Sequence, residues 1–286
     1  KNVLVHQISG MIFSNTDVLV LTYFCGLSAV SVYGVYNMLL GIISGVIGAF
    51  GGFSFVLGQT FHNDRKQYIQ LMDVYELYNM TLTFCLYCIA NMFILPFLAL
   101  YTDGVAGISY VDKYLPYLFI GVKLLDNGRA SSLKTIEYAG HFKQNQGAAL
   151  RESVINIVVS LLCVWKFGIY GVLMGTIAAL LYRSNDIILY ANRQILSRKA
   201  WITYRRWLLN LALFIVVTVA GKWFFSFIAL DSYVRIIGWA VVTCIVVIPF
   251  FFGLVSLCER EVFRFACELL RPYWQKVKEK FCRKPA

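Results

Sequence analysis

The chain has 286 residues, of which 59% are hydrophobic and only 14% charged, and its mean hydropathy is +0.67. That balance leaves no room for a sizeable soluble domain and points to a polytopic membrane protein. In a soluble protein the net charge of +11 would suggest nucleic acid. Here the basic residues gather in loops and tail, so no nucleic-acid partner is expected and membrane lipids are.

Taken in order, the first apolar stretch covers about 4–24, with Ser14, Asn15, Thr16 and Asp17 breaking its apolar run near the middle. The second covers about 31–57 and carries Gly41, Gly45, Gly48 and Gly52 at helical spacing, a face that lets another helix approach closely. A polar linker over 58–75 leads to a third helix at about 76–101, then a short acidic loop over 102–112. After the charged stretch 113–139 and a polar turn at 140–146 come helices at about 147–165 and 169–191, joined by a corner at Gly168. Gly171 and Gly175 predict close packing where the second of these begins. A basic loop over 192–206 precedes two more uniformly apolar helices, about 207–230 and 233–257, expected to face lipid or a partner. The tail 258–286 is basic, and Val262, Phe263, Phe265, Ala266, Leu269 and Leu270 are spaced like an interfacial amphipathic helix.

The fold class read from this pattern is all-α: a membrane helix bundle of about eight transmembrane helices. One set of loops and the tail hold most of the 26 lysines and arginines, while the opposite loops hold only Lys113, Lys166 and Arg235. The bias predicts that both ends lie in the cytoplasm. The chain starts with Lys already in an apolar pattern, which reads as a piece of a longer protein.

The stretch 113–139 is long enough to cross a bilayer yet holds Lys123, Asp126, Arg129, Lys134 and Glu137. Charge at membrane depth costs several kcal/mol unless it faces a bundle interior or a wet cavity. With Arg183 and Asp186 one turn apart on a later helix, these residues predict a cationic cavity for an anion such as a phosphate or uronic acid, which arginine grips as a fork. Two other readings stand beside it. Lys134 and Glu137 can snorkel to the headgroups, and Arg129–Asp126 and Arg183–Asp186 can be internal pairs that only hold helices together.

A second group lies nearer the outer surface. Counting about 1.5 Å per residue puts Asp17, Ser160 and Thr176 at similar depth, with Asn156 a turn deeper. A carboxylate, an amide oxygen and hydroxyls suit sodium. Asp17 alone, or with Asp126, suits a proton. Asp17 simply hydrogen-bonded to neighbouring hydroxyls is the competing reading. No enzyme signature or cofactor motif is present, and the three histidines, His6, His62 and His141, fall near the predicted cytoplasmic face. Cys85 and Cys88 have no partner pair for zinc and read as small buried hydrophobes.

Residues 147–196 resemble the polysaccharide-unit flippases (O-antigen, capsule and exopolysaccharide) of the multidrug/oligosaccharidyl-lipid/polysaccharide exporter superfamily. The resemblance is carried by Asn156, the corner Gly168-Ile169-Tyr170-Gly171, Gly175-Thr176 and Arg183. Thr16-Asp17, Tyr23-Phe24-x-Gly26 and Val32-Tyr33 resemble the opening of that family's second half. The resemblance implies a second six-helix lobe over 1–196, two additional helices over 197–257 and a basic cytoplasmic tail over 258–286, with a first lobe expected upstream. It implies alternating-access transfer of undecaprenyl-pyrophosphate-linked oligosaccharide across a bacterial cytoplasmic membrane, coupled to Na+ or H+ and working with polysaccharide-assembly machinery, with no catalysis. Arg129, Lys123, Lys134 and Arg183 would hold the anionic cargo, beside Asp126 and Asp186. Asp17, Asn156, Ser160, the Val172 carbonyl and Thr176 would hold the ion. A drug/cation antiporter of the same superfamily, or a membrane enzyme or scaffold of polysaccharide assembly, are the alternatives.

Overall fold

The computed structural model describes the backbone of residues 2–49 and 53–282, and side chains over 16–49 and 55–271. Gly52 of the glycine face, the side chains of His6, Ser14 and Asn15, and the tail side chains beyond Arg271 lie outside the described residues. Among those described, all regular structure is helical: α1 Asn2–Ala49, α2 Phe53–Asn63, α3 Arg65–Tyr101, α4 Leu115–Gly128, α5 Ala130–Tyr138, α6 Phe142–Phe167, α7 Ile169–Tyr190, α8 Trp201–Phe225, α9 Tyr233–Cys258 and α10 Arg260–Cys282, with a π turn at Ala191–Ile195. Six of them are long and apolar enough to cross a membrane. The exposed Tyr23, Trp165 and Trp223 stand at helix ends, the arrangement of an interfacial aromatic belt. The chain is a multi-pass membrane protein.

α1 is two arms rather than one rod. Gly26 sits at φ 78°, ψ 176°, backbone that only glycine adopts readily. Asp17 and Tyr33 are sixteen residues apart and would stand about 24 Å apart along a straight helix. Their side chains instead meet at 3.0 Å. The arms therefore fold back on each other, as the two predicted helices 4–24 and 31–57 require.

Several expected boundaries move. The second arm of α1 is described as far as Ala49 and residues 53–57 are helical too, and the linker 58–75 is helical instead: α2 runs into α3 through Asp64, whose Oδ1 accepts from the N–H groups of Lys66 and Gln67 at 2.9 and 3.0 Å. Polarity there marks a helix that outruns the bilayer, since the 37 residues of α3 span roughly 55 Å. The single helix expected over 113–139 is interrupted, giving α4 and α5 with Arg129 between them. Gly128 lies at the break with the Trp207 ring of α8 against it, where a Cβ would fall 2.2 Å from Cζ2. α8 also starts earlier than expected, at Trp201.

α3 is the central element. Phe84, Tyr87, Met92, Phe93 and Leu98 join Tyr36 and Leu40 of α1, Phe119 and Ile120 of α4, Phe214 of α8 and Phe251 of α9 in one core. Cys85 and Cys88 are buried within it, as small hydrophobes. α8 and α9 both pack on α3. Their outer faces, with Ile215, Val219, Val234 and Ile245, stay exposed and apolar, as lipid contact requires. Lys222 turns inward instead, donating to Asn91 Oδ1 at 3.1 Å and Tyr117 OH at 2.8 Å.

The glycines separate into two kinds. A Cβ on Gly171 would lie 2.5 Å from the Cys163 carbonyl, and one on Gly175 would lie 2.1 Å from Ser160 Oγ. α6 and α7 can therefore touch only because these side chains are absent. The face of Gly41, Gly45 and Gly48 receives no such approach, since a Cβ there meets nothing within 4 Å. The expected close partner is missing among the described residues.

Candidate functional site

α6 positions the site. Glu152, Asn156 and Ser160 recur every four residues on one buried stripe, and that stripe faces α7 across the glycine seam. α7 contributes Val172, Thr176 and Arg183, and the first arm of α1 closes the upper end with Asp17.

At that upper end all five residues expected at an ion site converge. Asp17 is only 4% exposed. Its Oδ2 accepts from Thr176 Oγ1 at 2.8 Å and from the Tyr33 hydroxyl at 3.0 Å, and its Oδ1 accepts from Asn156 Nδ2 at 3.3 Å. Asn156 Nδ2 also reaches Thr176 Oγ1 at 3.0 Å. Ser160 Oγ donates to the Val172 carbonyl at 3.3 Å. Asn156 Oδ1, by contrast, is buried with no hydrogen-bond partner. An orphaned acceptor costs roughly 1–3 kcal/mol. The five residues together offer a carboxylate, an amide oxygen, hydroxyls and a carbonyl, donor types that suit a hard cation, while the amide turns its nitrogen to Asp17 and Thr176.

One to two turns down the seam lies a chain of five alternating charges. Arg129 pairs with Asp126 at 2.8 Å and with Glu152 Oε1 at 2.9 Å. Glu152 Oε2 meets Arg183 Nε at 3.2 Å, and Arg183 reaches Asp186 at 2.8 Å. Arg183 is 1% exposed. Both pairs weighed from the sequence are present, and Glu152 joins them. Each guanidinium therefore has carboxylate partners, and the chain holds three acids to two arginines. Lys123 stands higher on α4 and donates to Asn37 Oδ1 at 2.7 Å. Lys134 and the exposed Glu137 lie on α5, past the break.

Two residues escaped the reading of the sequence. Glu152 was signalled by its spacing of four from Asn156 and Ser160, which puts all three on one helix face. Tyr33 was visible as part of a motif, but its contact with Asp17 depends on the fold-back at Gly26.

Beside the α6–α7 corner, Asp112 caps α4. Its Oδ1 accepts from the N–H groups of Tyr114 and Leu115 at 2.7 and 3.1 Å, and its Oδ2 accepts from Tyr170 OH at 2.5 Å. Burial pushes this carboxyl up, but the hydrogen bonds outweigh it and hold the group below the usual carboxylate value. At the opposite end of α3, Arg198 and Arg206 grip Asp73 and Glu76. Arg198 approaches both acids at 2.5 Å, and Arg206 approaches them at 2.8 and 3.3 Å. Burial lowers the affinity of the Arg198 guanidinium for its proton, but Glu76 and Asp73 more than restore it, so its pKa is raised.

No protein-family model, curated protein or solved structure matches the chain.

Proposed function

We propose that this chain is the second lobe of a cation-coupled transporter that carries a lipid-linked, pyrophosphate-bearing oligosaccharide across a bacterial cytoplasmic membrane, with its C-terminus in the cytoplasm. The supporting observation is the convergence of Asp17, Asn156, Ser160, Val172 and Thr176, with the Asn156 amide oxygen buried and without a hydrogen bond. Those residues would hold Na+, or Asp17 would hold a proton. A bound cation would compete with Tyr33, Thr176 and Asn156 for the carboxylate. Because Tyr33 lies on the other arm of α1, that competition would loosen the fold-back at Gly26.

Cargo would be held lower on the same seam. A pyrophosphate can replace the carboxylate partners of Arg129 and Arg183, because guanidinium forks fit phosphate as well as carboxylate, with Lys123 and Lys134 adding charge. Glu152 stands about 6 Å along α6 from Asn156, so one helix joins the two sites. Arg129→Ala in the intact protein should abolish glycan export while folded protein persists. Equal export by variant and wild type would overturn the cargo role.

One observation favours a second reading. The charge chain carries a net excess of one carboxylate, which suits a cationic substrate and hence a drug/cation antiporter. Efflux of a cationic dye, unaffected by loss of the glycan lipid, would select it.

A further inference from the structure

The junction of α9 and α10 uses neither of these sites. α9 ends at Cys258 and α10 begins at Arg260, so the junction lies where an apolar spanning helix gives way to a polar, amphipathic one. Between the two helices and α3 opens a groove of about 870 Å³, lined by Tyr78, Phe252, Ser256, Arg260, Phe263 and Arg264 among others. A second hollow of about 340 Å³ continues beneath α10, sharing Tyr78 and Phe252 and reaching Leu82, Leu269 and Leu270. The Tyr78 and Phe252 rings stack at 5.6 Å and form a flat apolar wall common to both. The hydroxyls of Tyr78 and Ser256 bond to each other at 3.0 Å, which leaves the wall without an unpaired polar group.

The mouth is different. Arg260 donates through Nε only to the Leu257 carbonyl at 3.3 Å, and Arg264 forms no ion pair among the described residues. Glu261 and Glu268 lie on the same helix but pair with neither. The neighbouring Arg205 and Arg206 are both engaged by Glu259. Among the described residues, two guanidiniums without a carboxylate partner thus stand over a long apolar channel at the membrane boundary. A soluble anion could use the arginines but not the channel. A neutral lipid could use the channel but not the arginines.

We propose that this elbow is a binding site for an anionic phospholipid, with its phosphate on Arg260 and Arg264 and an acyl chain along Tyr78 and Phe252. The assignment is independent of what the α6–α7 seam transports. Anionic headgroups attract basic side chains at the membrane surface, and the apolar channel adds chain burial. The occupied site would fix α10 against α3.

The test uses the protein purified in a non-ionic detergent, with bound lipid read by native mass spectrometry and thermal stability measured on adding dioleoyl phosphatidylglycerol or phosphatidylcholine. Phosphatidylglycerol should be retained and should stabilise more. Arg260→Gln with Arg264→Gln should weaken that preference on the order of tenfold, two surface charges being removed. Gly253 lines the groove and a Cβ there meets nothing within 4 Å. Gly253→Leu should therefore fill the channel and reduce retention of both lipids without lowering stability in detergent alone. Equal retention of the two lipids by wild type would overturn the proposal. So would unchanged lipid retention in Gly253→Leu, or protection by soluble glycerol phosphate as strong as that by phosphatidylglycerol.

Discussion

Glu152 and Arg183 meet across the α6–α7 seam, Oε2 to Nε, at 3.2 Å, and the other oxygen of the same carboxylate is bonded to Arg129. Glu152 is therefore the shared partner of two guanidiniums, one from the α4–α5 break and one from α7. Neutralising it leaves both short of charge at once, whereas removing Arg129 leaves Glu152 still paired with Arg183. Glu152→Gln should cost about 3–5 kcal/mol, the range for breaking a buried pair, and Arg129→Ala distinctly less. Thermal unfolding in detergent, variant against wild type, checks the order. The double variant should fall short of the sum, because the residues share one network.

Sodium should stabilise the protein, and Asp17→Asn should remove that response. At a concentration a hundredfold above Kd the gain is about 2.7 kcal/mol. Melting in sodium against choline chloride measures it. An identical response in Asp17→Asn would rule out Asp17 as the ligand.

Gly175→Ala and Gly45→Ala should behave oppositely. The first drives a methyl into Ser160 Oγ and the Ser160 backbone nitrogen, 2.7 Å away, and should cost about 1–3 kcal/mol or more. The second meets open space and should be neutral or slightly stabilising, since alanine is the better helix former. Parallel melting curves decide it.

Asp112 gives a pH dependence with a definite sign. Its carboxyl is held below the usual 3.8, so the ionised form is favoured in the folded state. The stability it contributes is present above about pH 4 and is lost as pH falls through the lowered native value. Asp112→Ala should lower stability at neutral pH by about 1 kcal/mol, the value of a lost capping acceptor. It should also flatten the acid limb of the stability curve.

Apolar runs and glycine punctuation made the helices legible, because the bilayer demands both. The similar depth of Asp17, Ser160 and Thr176 followed from counting residues along three helices, a calculation that needs only a straight helix and a common starting plane, whereas their grouping as one site was implied by the resemblance. The count failed where helices are not straight or do not stop at the membrane. The Gly128–Arg129 break sits against Trp207, a residue distant in sequence. The polar stretch 58–75 read as a linker because polarity marks departure from lipid, not from helix. Glu152 stood inside the expected helix 147–165, but its pairing with Arg129 and Arg183 depends on how distant segments meet.

Asp73 and Glu76 are translated long before the arginines that neutralise them, since Arg198 pairs with Glu76 across 122 residues of chain. Until residues 198–206 have emerged, α3 holds two acids at the foot of a membrane helix with no guanidinium to meet them. Any product ending before that point keeps Glu76 exposed to a poor solvent for charge. Only a chain that has delivered the start of α8 can seat the end of α3 with both acids paired.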